Sequence, residues 1–354
     1  MSSISVNTIT DASGGSTTSI NGFTPSVSNM AGRNRIINGD MRIDQRNAGA
    51  AVTGNDTVFG VDRFSIYAWV NGTGTIQRNA GGVTPPVGFS NYLGFTSSGA
   101  TTLTSSQAVA IQHRIEGYNV ADLGFGSSGA ATVTLSFWVR SSLSGIFGGS
   151  LQNNAGNRSY PFSYTINAAN TWEQKAITIA GDISGTWAKD NTEGLRVYFS
   201  LGAGSSFSGS AGAWVGSGLT STTGATSVVG TSGATFYITG VQLEEGSVAT
   251  PFEHRQYGQE LALCQRYYEE VNSPSVDLFL YPINTDNSGG YRRLAILYKV
   301  NKRVPPTVTP TWYLNPGSSR GVNGVTTDMC DIYVGGAGAS EYASLYKITM
   351  LAEL

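Results

Sequence analysis

Between Ile36 and Phe252 apolar side chains recur at every second position, the period of a strand that buries one face. In Val133-Thr-Leu-Ser-Phe-Trp-Val139 the residues Val133, Leu135, Phe137 and Val139 share a face. Leu195, Val197, Phe199 and Leu201 repeat the pattern, as do Phe64, Ile66, Ala68 and Val70. Turn-forming clusters separate the runs, among them Asn71-Gly-Thr-Gly74, Gly124-Phe-Gly-Ser-Ser-Gly129 and Gly202-Ala-Gly-Ser-Ser206. Many strands with one buried face each predict an all-β fold, two antiparallel sheets packed as a sandwich. A jelly roll is the commonest arrangement for a segment of this length.

The alternation breaks once in the last strand of this region. Phe236 and Ile238 share one parity, Val241 and Leu243 the other, and Gly240 sits where the phase changes. A β-bulge at Gly240 would return all four to the core, because one extra residue flips the register. Residues 256–270 then switch to helical spacing, with Tyr257, Leu261, Cys264 and Tyr268 along one side. After Asn272-Ser-Pro274 strand patterns return in Val276–Tyr281, Arg293–Tyr298, Thr307–Tyr313, Asp331–Val334 and Tyr346–Leu351. The predicted organisation is a leader over 1–33, a jelly roll over 34–254, a linker helix over 255–272 and a smaller C-terminal β-sandwich module over 273–354.

The leader is polar and low in complexity, and alone it cannot bury enough to fold. Its isolated apolar residues Ile4, Val6, Ile9, Ile20 and Phe23 suit an anchor that orders against a partner chain or docking site.

Charged residues make up 12% of the chain, with Lys+Arg 21 against Asp+Glu 23. That is about half the usual ~25%. With no basic excess to neutralise phosphates, nucleic-acid binding is not expected. The solvent-facing positions fall instead to Ser, Thr, Asn and the 46 glycines. No apolar run approaches the roughly 20 residues that cross a bilayer, so no membrane insertion is expected. The first twenty residues lack the features of a secretory signal. Cys264 and Cys330 have neither disulfide nor zinc spacing and read as buried small apolar residues.

Catalytic chemistry finds little to use, and no cofactor motif is present. His113 shares the parity of Val109, Ile111 and Ile115 and reads as a hydrogen-bonded core histidine. His254, at the junction with the helix, reads as structural. No Gly-x-Ser-x-Gly elbow stands between strand and helix, and no glycine-rich run ends in Gly-Lys-Ser/Thr. Glycoside cleavage needs two opposed carboxyl groups. Glu244-Glu245 and Glu269-Glu270 point apart as adjacent residues, and only Asp182 and Asp190 could converge across a loop. Asp40, Asp44 and Glu244 are conceivable oxygen donors for a structural Ca²⁺, although no loop has EF-hand spacing.

Sugar binding has more to work with. Aromatic faces stack on the apolar face of a pyranose while amides and hydroxyls bond its OH groups. Tyr67, Trp69, Trp138 and Arg140 stand opposite the core face of their strands and would form one platform if those strands were neighbours. Trp187 and Trp214, in Gly/Ser/Thr-rich loops, could line its rim. The same rings could instead cover a subunit interface or a second apolar layer, which is the commoner use of such rings in a fibre protein.

Two adjoining segments, Thr235-Phe-Tyr-Ile-Thr-Gly-Val-Gln-Leu-Glu-Glu-Gly-Ser-Val-Ala-Thr-Pro-Phe-Glu253 and Tyr257-Gly-Gln-Glu-Leu-Ala-Leu-Cys-Gln-Arg-Tyr-Tyr268, resemble a stretch recurring in bacteriophage tail-fibre and related virion proteins. Asn34–Arg46 looks like the opening strand of that family and Val61-Asp-Arg-Phe64 like its second. Gln112–Tyr118, Thr134–Ser142 and Ala180–Trp187 match as well. Val304–Val308 and Ala352–Leu354 are similar to the associated C-terminal module. The resemblance implies a carbohydrate-binding-module-like jelly roll on a virion appendage, generally trimeric and assembled in the host cytoplasm. It implies a non-enzymatic protein whose leader docks to the tail or baseplate and whose C-terminal module faces the host. Attachment to host surface polysaccharide would then be multivalent. The alternatives are a purely architectural virion protein, such as a tail adaptor or capsid decoration, and a glycan-cleaving tailspike. The resemblance supplies no ligand residues.

Overall fold

The computed structural model describes residues 32–272, 278–280, 292–314, 319–335 and 343–354. Ile4, Val6, Ile9, Ile20 and Phe23 of the expected anchor lie outside the described residues. In chain order the first strands are β1 (Val52–Thr53), β2 (Phe59–Val61), β3 (Phe64–Ala68), β4 (Gly74–Arg78), β5 (Leu93–Ser97), β6 (Ala108–Glu116) and β7 (Val133–Ser141). They are followed by β8 (Gly145–Gln152), β9 (Ser159–Ile166), β10 (Glu173–Ile179), β11 (Glu193–Ala203), β12 (Ser208–Gly209), β13 (Ser221–Thr222) and β14 (Thr235–Glu245).

Two six-stranded antiparallel sheets result, β1-β4-β5-β14-β7-β10 and β2-β3-β6-β11-β8-β9. Consecutive strands change sheet repeatedly, as in a jelly-roll sandwich, and the expected all-β class stands. The alternating residues fill the space between the sheets: Phe64, Ile66, Val109, Ile111, Leu135, Phe137, Val139, Val197 and Phe199 are fully buried in one apolar cluster. The bulge is present. The register of β14 against β7 slips between Thr239 and Gln242, and Gly240 takes φ 60°. Phe236, Ile238, Val241 and Leu243 all reach the core as a result.

Asn34–Arg46 departs from expectation and is not a regular strand. Asn38 and Met41 have φ near the left-handed region, at 61° and 60°, which breaks any ladder. The segment instead runs irregularly beside β14, with Arg35 N donating to Leu243 O and Val241 N to Gly39 O. It plugs the sandwich with Ile36 and Met41 and offers Ile37 and Ile43 to the helix. Val61-Asp-Arg-Phe64 is likewise not a strand but the tight turn joining β2 to β3, with Arg63 at φ 70°.

The helix α1 (Tyr257–Gln265) is shorter than the spacing suggests. Tyr268 leaves it to open β15 (Tyr268–Asn272), and Tyr257 is exposed, so the apolar stripe is interrupted at both ends. Strand pairing outcompetes the helical periodicity here. The remaining strands are β16 (Leu278–Leu280), β17 (Arg292–Leu297), β18 (Thr307–Leu314), β19 (Ser319–Asn323), β20 (Met329–Gly335) and β21 (Ala343–Leu351). β15, β16 and β18 pair with β21, and β17-β20-β19 form a second small sheet. Cys330, Ile332, Ile348 and Met350 are buried together in this module. Both cysteines are free and buried, and burial raises the pKa of each thiol. Lys302 and Glu269, both without exposure, make a buried ion pair at 2.5 Å, and Lys302 also donates to the main-chain oxygen of Gln265. The module is tied to the sandwich through Glu116, which accepts from Arg266 Nε and Nη2 and from Tyr267 OH at 2.6–2.8 Å.

Candidate functional site

The parity that sends Phe64 and Ile66 inward sends Ser65, Tyr67 and, one residue beyond β3, Trp69 to the outer face of the second sheet. Gln112 and Arg114 of β6 and Arg196 and Tyr198 of β11 stand on that face too, since β3 pairs β6 and β6 pairs β11. The far half of the face is covered. The connection from β11 to β14 folds β13 back over β8, so closely that a Cβ at Gly148 would lie 2.5 Å from Ser221 Oγ. The near end is covered by the C-terminal residues. Arg114 Nη1 donates to the main-chain oxygen of Leu354 at 2.5 Å, and Glu353 is ion-paired to Arg46 and Arg63. Between the two covers an open strip remains.

Aromatic rings edge this strip. Of the six tryptophans only Trp69 is exposed, at 60% of its surface. Its indole N–H donates to Tyr67 OH at 2.5 Å, and its ring leans on Phe207 at 5.5 Å. Tyr67 meets Tyr198 edge-on at 5.1 Å. These contacts hold the indole in one orientation, which lowers the entropy a ligand would otherwise cost it.

Polar groups form the floor. Arg196 grips the buried Glu193 with Nε and Nη2 at 2.7 and 2.8 Å and donates Nη1 to Tyr198 OH at 2.6 Å. Burial opposes the Arg196 charge, but the hydrogen bonds to Glu193 and the adjacent Tyr198 outweigh it, so its pKa lies above the usual arginine value. Burial pushes the Tyr198 phenol up to about 12, against the pull of Arg196, and raises Tyr67 as well. Gln112 donates Nε2 to Ser65 Oγ at 3.1 Å, while its buried Oε1 has no partner. At the covered end a cavity of about 180 Å³ opens between Ser65, Gln112 and Arg114 on the sheet and Leu351, Glu353 and Leu354 beyond it. Such a surface offers a ring face for stacking and neutral donors and acceptors for hydroxyl groups.

The other sequence-selected aromatics do not join this strip. Trp138 and Arg140 lie on β7 in the opposite sheet, so the single platform with Tyr67 and Trp69 does not form. Arg140 donates to the main-chain oxygen of Asn170 and stands over the Tyr237 ring. That outer face is roofed by the Asn79–Tyr92 segment, where Ala80, Tyr92 and Tyr237 are buried with Val83 and Trp172 packed against them. Trp138 is half-buried beside Gly240. Trp187 is a core residue, and Trp214 packs edge-on against it, Phe125 and Tyr160 at one end of the sandwich. Each of their indole N–H groups is bonded to a main-chain oxygen, of Ser184 and Ala180 respectively.

The candidate catalytic and metal-binding side chains are engaged structurally. Asp182 is buried and held bidentately by Arg158 at 2.6 and 2.7 Å, while Asp190 accepts from the amide and hydroxyl of Thr192. Asp40 pairs with Arg42, Asp44 accepts from the amides of Asn47 and Gly49, and Glu244 binds Thr250. Among the described residues no three His, Cys, Asp or Glu side chains are grouped as metal ligands. His113 is buried against Phe64, with Ile37 N donating to its Nε2. His254 packs on Phe89 and Phe252.

No protein-family model and no curated protein matches the chain. Among solved structures it is similar to the enzymatically active domain of tailspike protein 4 from bacteriophage CBA120, at 12% identity and TM-score 0.30, over 52% of this chain and 19% of that one. It is also similar to a putative sugar binding protein from Bacteroides thetaiotaomicron, at 14% identity and TM-score 0.32, over 60% of this chain and 100% of that one. A family 11 carbohydrate-binding module from Clostridium thermocellum, in complex with a mixed-linked tetrasaccharide, aligns at 12% identity and TM-score 0.27 over 59% and 100%. The chain thus spans about a fifth of the tailspike it resembles. At TM-scores this low the likenesses carry no argument about ligand, which rests on the site itself.

Proposed function

We propose that this protein is a non-enzymatic glycan-binding appendage protein, and that it binds oligosaccharide along the open strip of the second sheet. The observation that carries the reading is Trp69: the one exposed tryptophan, fixed by Tyr67 and Phe207, standing at the rim of a floor of arginine, tyrosine and glutamine. Leaving a large indole face exposed to water is unfavourable, and the apolar face of a pyranose ring would cover it. The carboxylates beside the strip, Glu193 and Glu353, are each tied to arginines, which favours binding over acid–base chemistry.

The sequence resemblance to phage tail-fibre proteins supplies the setting. In it the leader docks to the tail or baseplate and the chain assembles as a homotrimer on the virion. Three weak sites acting together would raise the overall affinity by a factor on the order of 10²–10⁴.

Affinity electrophoresis through gels containing bacterial surface polysaccharide tests the reading. The wild-type protein should be retarded by the polysaccharide of its host. Trp69→Ala should weaken each site roughly tenfold, the worth of one stacked ring, and abolish most of the retardation. Equal mobility of wild type and variant in every gel would refute the assignment.

A further inference from the structure

We infer that Asn323 is a site of self-modification: its side-chain amide is lost to attack by the Gly324 nitrogen, and the aspartate or isoaspartate that replaces it loosens the hairpin of β19 and β20. The sequence holds four Asn-Gly pairs, beginning at Asn21, Asn38, Asn71 and Asn323. A following glycine favours this chemistry, because no Cβ shields the attacking nitrogen and the backbone bends freely. Asn21 lies outside the described residues, and the fold treats the other three differently.

Asn38 is fully buried. Its Nδ2 donates to the main-chain oxygens of Ile43 and Asp62, both at 2.8 Å, and its Oδ1 accepts from Ile43 N at 2.9 Å. Turning its carbonyl onto Gly39 would break all three buried hydrogen bonds. Asn71 is exposed, but other residues hold its two reacting groups apart. Its Oδ1 accepts from Asp56 N at 2.9 Å, while Gly72 N donates to Asn55 Oδ1 at 3.0 Å. At Asn323 the two groups meet. The side chain is exposed, and Gly324 N donates to Asn323 Oδ1 at 2.9 Å, so the nitrogen already lies against the carbonyl it attacks. Gly324 has φ 55°, and a Cβ there would meet nothing nearer than Asp331 Oδ2 at 3.5 Å.

Hydroxide takes the Gly324 amide proton, and the nitrogen attacks Asn323 Cγ to form a new C–N bond. The Cγ–Nδ2 bond breaks, and ammonia leaves with a proton from water. Water then opens the five-membered imide at either carbonyl, to aspartate or to isoaspartate. Nothing is oxidised or reduced: an amide and water become a carboxylate and ammonium.

The product sits badly in the sheet. Asn323 ends β19 directly opposite Asp331, whose carboxylate lies 3.9 Å from Arg293 Nη1. A second carboxylate across the ladder is repelled, and isoaspartate adds a methylene to the main chain that spoils the pairing.

Peptide mapping by mass spectrometry tests the chemistry, on the full folded chain kept in mildly alkaline heavy-oxygen water. The peptide holding Asn323 should gain heavy oxygen and isoaspartate at least about tenfold faster than those holding Asn38 and Asn71. In urea the three rates should converge, because a β-branched residue precedes each, Val322, Ile37 and Val70. Equal rates in the folded chain would overturn the assignment, and so would a lead of Asn323 that persists in urea. Asn323→Asp tests the consequence: backbone amides of β19 and β20 should exchange hydrogen roughly threefold faster than in wild type. Unchanged exchange there would refute the loosening.

Discussion

His113 shows what a single buried side chain imposes on the pH response of the whole fold. Burial, and then the nearby Arg63 charge, hold its pKa well below the ordinary histidine value. Below about pH 6.5 the unfolded chain takes up a proton that the folded protein refuses, so stability falls with pH by up to about 1.4 kcal/mol per unit. Asp62 acts in the opposite sense. Burial pushes its carboxyl up to about 6, so its contribution is present below its unfolded value near 4 and is lost as pH rises towards 6. The two partly offset each other across that range. His113→Gln should therefore lose less stability than wild type between pH 7 and pH 5, measured as the shift in urea midpoint. Parallel losses in the two proteins would show that the imidazole titrates normally.

At the scale of elements, the bulge in β14 is the device that lets one strand serve the core along its whole length. Gly240 has φ 60°, and a Cβ there would lie 2.6 Å from the Phe89 ring and 3.1 Å from Trp138. Gly240→Val should thus cost about 3 kcal/mol, from the left-handed backbone and the clash combined, read as a lowered denaturant midpoint. A loss under half a kilocalorie would mean that the bulge can migrate. This feature was legible in the sequence because the parity of Phe236, Ile238, Val241 and Leu243 changes at a glycine. The two-sheet architecture was legible for the same reason, strand alternation being set by the core. The irregular path of Asn34–Arg46 was not, because it depends on left-handed turns at Asn38 and Met41 that those residue types adopt only under tertiary constraint. Nor was the early end of α1, where pairing of Tyr268–Asn272 with β21 overrides the local period.

At the scale of the molecule, the sandwich meets the helix and C-terminal module over the apolar cluster of Ile37, Ile43, Cys264 and Tyr267 and over a set of polar links. Glu116 is 1% exposed and receives three hydrogen bonds from Arg266 and Tyr267, while Arg303 donates to the main-chain oxygens of Asn191, Ala352 and Glu353. Glu116→Ala should cost about 3 kcal/mol and split a single calorimetric transition into two, the module melting first. One undivided transition in the variant would show that the remaining links suffice. The candidate site was half legible. Tyr67 and Trp69 stood out by parity and chemistry, but the placement of Trp138 beside them failed, because alternation reveals which face a residue takes and not which sheet its strand joins. Arg196, Tyr198 and Gln112 could have been found by extending the outward parity along β6 and β11. Phe207 and residues 351–354 carry no local signal, since only the long connection after β11 and the end of the chain bring them to the strip.

The guanidinium groups along that strip are already engaged, Arg196 by Glu193, Arg63 by Glu353 and Arg114 by the Leu354 backbone. A grip made of ring stacking and hydrogen bonds to a neutral sugar, rather than of long-range Coulomb attraction, would leave mobile ions little to screen. A grip of this kind would hold equally well in rainwater, sewage or the sea.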